Sequence, residues 1–355
     1  MQIAPPAESL LNQPPMELME LFGRMRSLAD AHGFSGVLPA VWQCSDESQM
    51  IKKALFGYVF NCPTFNLGRV GALLDPTRLG PAAHHGRDLV ILGGSHLGAR
   101  EEAGIGMVER VHGPVAPCCG KLRQILWDYL LAYRRAAALI TLFREEDEPR
   151  IEIPYKYLFR KSPGDTPRIQ LLLPRLTEGE ELRDGSRGKI YRLAPAMRHR
   201  HADILSQLGR EPQPIGPLLA AESFVFERRL DPDTYDPLKM IEFSVFDFLP
   251  EIVASAHPHR RLADINTWRQ FHRLAAYLTD SFDSGERNIL VVAGLTIDHS
   301  IRRNLFQPQF GFLMKQGKSL QGTYFSPPEL VELLCTQEVY RPKCSFLDYA
   351  AGVNS

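Results

Sequence analysis

Apolar and polar positions recur along the chain at two periods, and the change from one to the other marks its elements. Met16, Met19, Leu21, Phe22, Met25 and Leu28 follow Pro14 and Pro15 at helical spacing. An amphipathic helix over residues 16–29 is expected, ended near Gly33 and packed on a sheet or on a partner subunit. Val37 to Gln43 is a short apolar run that stops at the polar Cys44-Ser45-Asp46-Glu47-Ser48, a strand and its tip, and a helical pattern then runs from Ser48 to Val59. Residues 60–86, rich in Gly, Pro and Asn and including His84-His85, read as loops. Asp88 to Leu92 is continuously apolar and leads into Gly93-Gly94-Ser95-His96, the pattern of a central parallel strand covered on both faces, with His96 just past its C-terminal end. After a turn near Gly104 and a short strand at Ile105 to Val111, Pro117-Cys118-Cys119-Gly120 opens a long helix from Lys121 to about Phe143.

Charge and Pro/Gly content rise between Arg144 and Gly188, although Ile169 to Leu173 reads as a strand. A boundary near residue 150 is therefore expected, with one domain over 1–150 and a C-terminal α/β or α+β region over 151–355. In the second half a helical run from Trp268 to Tyr277 precedes a buried strand over Asn288 to Ala293. Setting Arg87–Gly94 beside Arg287–Gly294 gives the same apolar pattern, with Thr296 opposite His96 and, by the same offset, Ser244 opposite Cys44. Read as a duplication, this makes the C-terminal half a degenerate copy without metal ligands. Two buried strands ending in Gly would also look alike without common descent.

Composition narrows the function classes. With 355 residues, 41 basic and 41 acidic side chains and no basic run interleaved with aromatics, the chain has no electrostatic footprint for nucleic acid. A small substrate is the natural partner. The N-terminus lacks a signal-peptide pattern and no apolar stretch is long enough to span a bilayer, so a soluble, cytoplasmic protein that uses no membrane is expected. Six cysteines in a chain of this length are too few for a disulfide scaffold and are available as thiols.

Three of the chain's metal-ligating side chains stand where an α/β sheet gathers ligands. Cys44 and His96 follow strand C-termini and Cys119 begins a helix, whose N-terminal N–H groups favour a thiolate. Two thiolates and an imidazole suit Zn²⁺, and three protein ligands leave the fourth tetrahedral position open, as in catalytic sites. Cys118 neighbours Cys119, and because adjacent residues point different ways one of the two is expected to face the metal, with Cys119 preferred. Buried structural cysteines and a hydrogen-bonded strand-end histidine would produce the same spacing. A serine hydrolase elbow is excluded because Leu97 stands where Gly is required after Gly93-Gly94-Ser95. Zinc deaminases need a Cys pair two residues apart that is absent here, and redox dithiols use the same spacing rather than vicinal cysteines.

Cys44-x-Asp46-Glu47, Leu73-Leu74 with His84-His85, Gly94-Ser95-His96, Ile105-Gly106 and Cys119-Gly120 follow in an order that resembles the limiting-CO2-inducible B protein family, which is similar to β-carbonic anhydrases in fold and metal site. The resemblance covers residues 35 to 125. It implies a mostly parallel β-carbonic-anhydrase-like sheet flanked by helices, with Cys44, His96 and Cys119 as zinc ligands and Asp46 beside the open metal position. It further implies hydration of CO2 to bicarbonate and a homodimer, to which the Met-rich helix 16–29 could contribute. β-Enzymes place an Arg two residues after that Asp, where this chain has Ser48. Arg110 is the first candidate to replace it and Arg78 the second, while His84, His85 or His112 could pass protons. Some members of the family are catalytically silent, so a zinc-binding regulatory or partner-binding role stands as the alternative.

Overall fold

The computed structural model describes all residues except 1–4, 6, 80–87, 101–103, 109–113, 160–161, 232, 281–286, 301–302, 316–321 and 351–355. Its central sheet is mixed and mostly parallel in its middle. The strand Val37–Trp42 pairs in parallel with the short strand Phe65–Asn66 on one side and with Asp88–Gly93 on the other. Asp88–Gly93 in turn pairs in parallel with Ile289–Ser300. All six residues of Asp88–Gly93 are buried, as its unbroken apolar run predicts for a strand with both faces covered.

Ile289–Ser300 organises the sheet. Along one edge it pairs antiparallel with Arg303–Met314, and along the other it pairs in parallel with two consecutive segments, through Ile289–Ala293 to Asp88–Gly93 and through Thr296–Asp298 to His96–Arg100. The chain steps between those segments at Gly94, whose φ of +134° suits glycine; a Cβ there would lie 1.8 Å from the Gly294 carbonyl oxygen. The equivalence read from sequence is thus a physical pairing, since Leu89 faces Ile289, Ile91 faces Val291 and His96 faces Thr296. It ends with the strands: Ser244, which the same offset sets against Cys44, lies in the helix Pro237–Val245 rather than beyond a strand. Two neighbouring buried strands of one sheet share their pattern because they share an environment.

The helix Leu18–Ala31 turns Leu21, Phe22, Met25 and Leu28 into a core with Phe56, Val59, Phe306, Leu330 and Leu334. Apart from Met19, which is exposed, the apolar stripe packs inside this chain. Phe22 is fully buried and meets Phe56 edge-on, with ring centroids 5.0 Å apart. Phe22→Ala should therefore destabilise the protein by about 3–5 kcal/mol, read as a lower urea midpoint.

The chain divides into two compact units, one made of residues 1–123, 235–244 and 259–355, the other of 124–234 and 245–258. This differs from a division at residue 150: Ile289–Ser300 is inserted beside Asp88–Gly93, so the first unit is completed by the C-terminal third. The second unit holds a five-stranded antiparallel sheet in the order Thr177–Asp184, Gly188–Leu193, Glu148–Pro154, Thr141–Glu145 and Gln213–Pro214. The charge-rich stretch from Arg144 to Gly188 belongs to it. Glu146 and Asp147, at φ +49° and +63°, make a tight hairpin turn. Glu178 and Glu181 stand on a solvent-facing edge strand and pair with Arg198 and Lys189. Among the described residues no helix is long and apolar enough to cross a membrane.

Candidate metal centre

Cys44 lies two residues beyond the end of Val37–Trp42, and His96 opens the segment that pairs with Thr296. The Gly94 N–H donates to the Trp42 carbonyl at 3.1 Å, and Ser95 is clamped by three bonds: its N–H donates to Thr267 Oγ1 (2.9 Å), its Oγ accepts from Asn266 Nδ2 (2.9 Å), and its carbonyl accepts from the Thr296 N–H (3.0 Å). These bonds fix where His96 emerges. The cysteine pair is tied to the same strand, since the Gly98 N–H donates to the Cys118 carbonyl at 3.1 Å and the Cys118 N–H to the Gly106 carbonyl at 2.9 Å. Cys119 then accepts from the Arg123 N–H at 3.1 Å and begins the helix Gly120–Leu139.

The donor atoms of Cys44, His96 and Cys119 lie within 4.8 Å of one another, and all three residues are buried. Cys44 Sγ stands 3.9 Å from Cys119 Sγ and accepts the Gly71 N–H at 3.2 Å. A hydrogen bond from Cys119 does most to hold the Cys44 thiol down at about 4; burial opposes it, while His96 and the Asp46 backbone assist. The Cys119 thiol is pushed up by that same bond and by burial. Within the pair the thiolate is favoured on Cys44 and the proton on Cys119.

Cys118 is not turned away. Its Sγ lies 3.1 Å from His96 Nδ1 and 3.4 Å from Asp298 Oδ2, so the vicinal cysteines straddle the imidazole. His96, Cys118 and Asp298 form a second group of clustered donors. Asp298 decides how the ring is used. Its Oδ2 lies 2.9 Å from His96 Nδ1, a contact that favours the ring proton on Nδ1, where Gln49 Nε2 also stands at 3.0 Å, while Nε2 is buried and makes no hydrogen bond among the described residues. A carboxylate behind Nδ1 that leaves Nε2 for a metal is the arrangement that orients a metal-ligating histidine.

Asp298 is itself held by Lys52 Nζ (2.8 Å to Oδ1) and Gln49 Nε2 (2.9 Å to Oδ2), and Lys52 also donates to Gln49 Oε1 at 2.7 Å. The Lys52–Asp298 ion pair is almost completely excluded from solvent. It is not symmetric. Burial pulls the Lys52 ammonium toward losing its proton against the opposing charge of Asp298. At Asp298 burial is outweighed by Lys52 and His96, which hold the carboxyl well below the usual carboxylate range. The ammonium meets Asp298 and Gln49, and the carboxylate meets Lys52, Gln49 and His96 with Ser48 and Cys118 at 3.4 Å, so each charge is held by polar partners. At His96 burial disfavours the charged ring, but Asp298 and the surrounding thiols outweigh it and raise its proton affinity.

Asp46 is half-buried in the tip after Cys44, where its Oδ1 accepts the Ser48 N–H at 3.0 Å. Ser48, at the position of the β-enzyme arginine, turns its hydroxyl toward Asp298 Oδ2 at 3.4 Å. Arg78 forms an ion pair with Asp75 (3.3 Å), which also binds Arg69, and is engaged there rather than at Asp46. Arg110, His84, His85 and His112 lie outside the described residues. Reading the sequence missed Gln49, Lys52 and Asp298. A signal was present for the last: an Asp that continues the buried strand beyond Ile289–Ile297 requires a buried partner.

No protein-family model matches the sequence, and no curated protein matches it. Solved structures do. The chain is similar to PtLCIB4, a homolog of the limiting CO2-inducible protein LCIB, over 88% of this chain and 94% of that one, with 13% identity and a TM-score of 0.52. A variant of PtLCIB4 with a histidine replaced by alanine gives 12% identity and a TM-score of 0.53 over the same shares. The chain shares its fold with these proteins, and the likeness extends well beyond residues 35 to 125 into segments whose sequence carried no resemblance.

Proposed function

We propose that this chain, which has the limiting-CO2-inducible B fold, is a zinc-dependent carbonic anhydrase of the β kind that interconverts CO2 and bicarbonate. The observation that carries the reading is the spacing of the thiols. Two sulfurs about 2.3 Å from a tetrahedral zinc stand about 3.8 Å apart, and Cys44 Sγ and Cys119 Sγ are separated by 3.9 Å, with the unpartnered His96 Nε2 in the same cluster. Thiolate and imidazole donors favour zinc over magnesium or calcium. Zinc held by Cys44, His96 and Cys119 would supply the Lewis acidity that brings the pKa of a captured water to about 7.

The chain's own residues do the rest. Cys44 offers a ready thiolate, and Asp298 keeps the His96 lone pair on Nε2. Asp46 would accept a hydrogen bond from the nucleophile and so aim its reactive lone pair at CO2. Arg110 is the candidate charge partner of Asp46. By the same resemblance the protein would work as a cytoplasmic homodimer. Ser48 in place of the β-enzyme arginine favours a second reading, a zinc-binding but catalytically silent protein that regulates a partner.

Stopped-flow CO2 hydration by the zinc-loaded protein separates the two. The enzyme reading expects acceleration that Asp46→Ala lowers by about 10²-fold or more with zinc content unchanged. Stoichiometric zinc without acceleration in the parent protein would favour the silent reading.

A further inference from the structure

The second unit contains a cleft of about 420 Å³, within the range of small-molecule sites. Three elements build it: Ala132 and Arg135 come from the long helix, Tyr157, Leu158 and Phe159 from the helix Tyr155–Leu158 and its exit, and Ile169 and Leu171 from the strand Arg168–Leu171. One wall is aromatic and aliphatic. Phe159 is 64% exposed beside the cleft, its ring stacked on Tyr155 with centroids 6.5 Å apart.

The polar lining is unbalanced. Arg135, Lys156 and Arg168 line the cleft with one carboxylate, Glu227, so two more cations than acids face it, and Arg168 already donates to the Ser162 carbonyl at 3.4 Å. Arg135 and Lys156 remain. Among the described residues neither forms an ion pair, and they lie close enough for Arg135 to depress the proton affinity of Lys156, after the larger effect of burial. Lys156 Nζ also sits 4.7 Å from the centroid of the Tyr157 ring, which brings its charge to the aromatic wall. Two like charges held together beside an apolar wall lower their repulsion by taking an anion between them.

We infer that this cleft is a binding site for a small organic anion with a flat apolar body, of the kind formed by an aromatic phosphate ester, with Arg135 and Lys156 gripping the anionic group and Tyr157 and Phe159 covering the ring. A guanidinium and an ammonium together match a phosphate in charge and in donors. Nothing in the proposed CO2 chemistry requires such a ligand, so the site stands independently of that reading.

Calorimetric titration of the full-length protein with naphthyl phosphate tests it, with naphthol as the uncharged comparison. Saturable binding is expected for the phosphate and at least about tenfold weaker binding for naphthol. Arg135→Ala and Lys156→Ala should each weaken the phosphate complex about tenfold or more. Arg134→Ala, on the same helix but outside the cleft, should leave it unchanged. Arg135, Lys156 and Arg134 are all exposed, so each variant should keep the parent's circular dichroism. No saturable binding, equal affinity for naphthol, or equal affinity in the Arg135 and Lys156 variants would overturn the assignment.

Discussion

Cys44→Ser is expected to strip the protein of tightly held metal: zinc retained through dialysis against a weak chelator, near stoichiometric in the parent, falls to background while the far-ultraviolet spectrum is kept. The substitution preserves shape and leaves the Gly71 N–H with an oxygen to meet, but it removes the thiolate. That thiolate is the best prepared ligand of the site, lowered to about 4 by Cys119 and His96 against the penalty of burial. A serine hydroxyl cannot ionise at neutral pH, and the metal would lose a charged donor from a set of three. The neighbouring cysteines give the comparison that makes the result specific. Cys119→Ser should lose metal equally, because Cys119 faces Cys44. Cys118→Ser should retain it, because Cys118 faces the Nδ1 side of His96 and Asp298. Metal lost from Cys118→Ser and kept by Cys119→Ser would exchange their roles.

The parts of the fold that could be read in the sequence are those in which one environment acts on a continuous stretch. Leu89 to Leu92 betrays a covered strand because its apolar run is unbroken and buried, and residues 16–29 betray a helix because one stripe is. Cys44, His96 and Cys119 could be placed at one sheet edge for the same reason, since strand ends and helix starts are local features. Order within the sheet was not readable in this way. The insertion of Ile289–Ser300 beside Asp88–Gly93 joins segments far apart in sequence, and their shared apolar pattern records a common environment rather than which strand each one pairs with. The two compact units differ from a division near residue 150 for that reason, and because a solvent-exposed antiparallel edge such as Thr177–Asp184 has the composition of a loop. Lys52 illustrates the same limit within the site. On a helical projection it is an ordinary lysine of an amphipathic segment, and only Asp298, contributed from the other end of the chain, explains how its ammonium can be buried.

Asp298→Ala is expected to lower stability by about 3–5 kcal/mol and metal affinity by about 10- to 100-fold, and the two losses have separable causes. The first is the Lys52 ammonium, which would remain almost completely buried with only Gln49 Oε1 to meet it. The second is His96, whose Nδ1 would lose the carboxylate that fixes its tautomer. The double variant Lys52→Met/Asp298→Leu distinguishes them. With both charges gone there is no unpaired ion, so the urea midpoint should return most of the way to that of the parent, since apolar residues of similar volume commonly replace buried ion pairs without loss. Metal affinity should stay low, because His96 is still without its carboxylate. Acid provides a further check on sign. The Asp298 carboxyl is depressed in the folded state, so its contribution is fully present above the unfolded carboxylate pKa of about 3.9 and is lost as pH falls toward the folded value. The parent should therefore lose its stability advantage over the double variant on acidification below about pH 4. If the double variant were as unstable as Asp298→Ala, the ion pair would not be the source of the loss; if it regained full metal affinity, Asp298 would not be what orients His96.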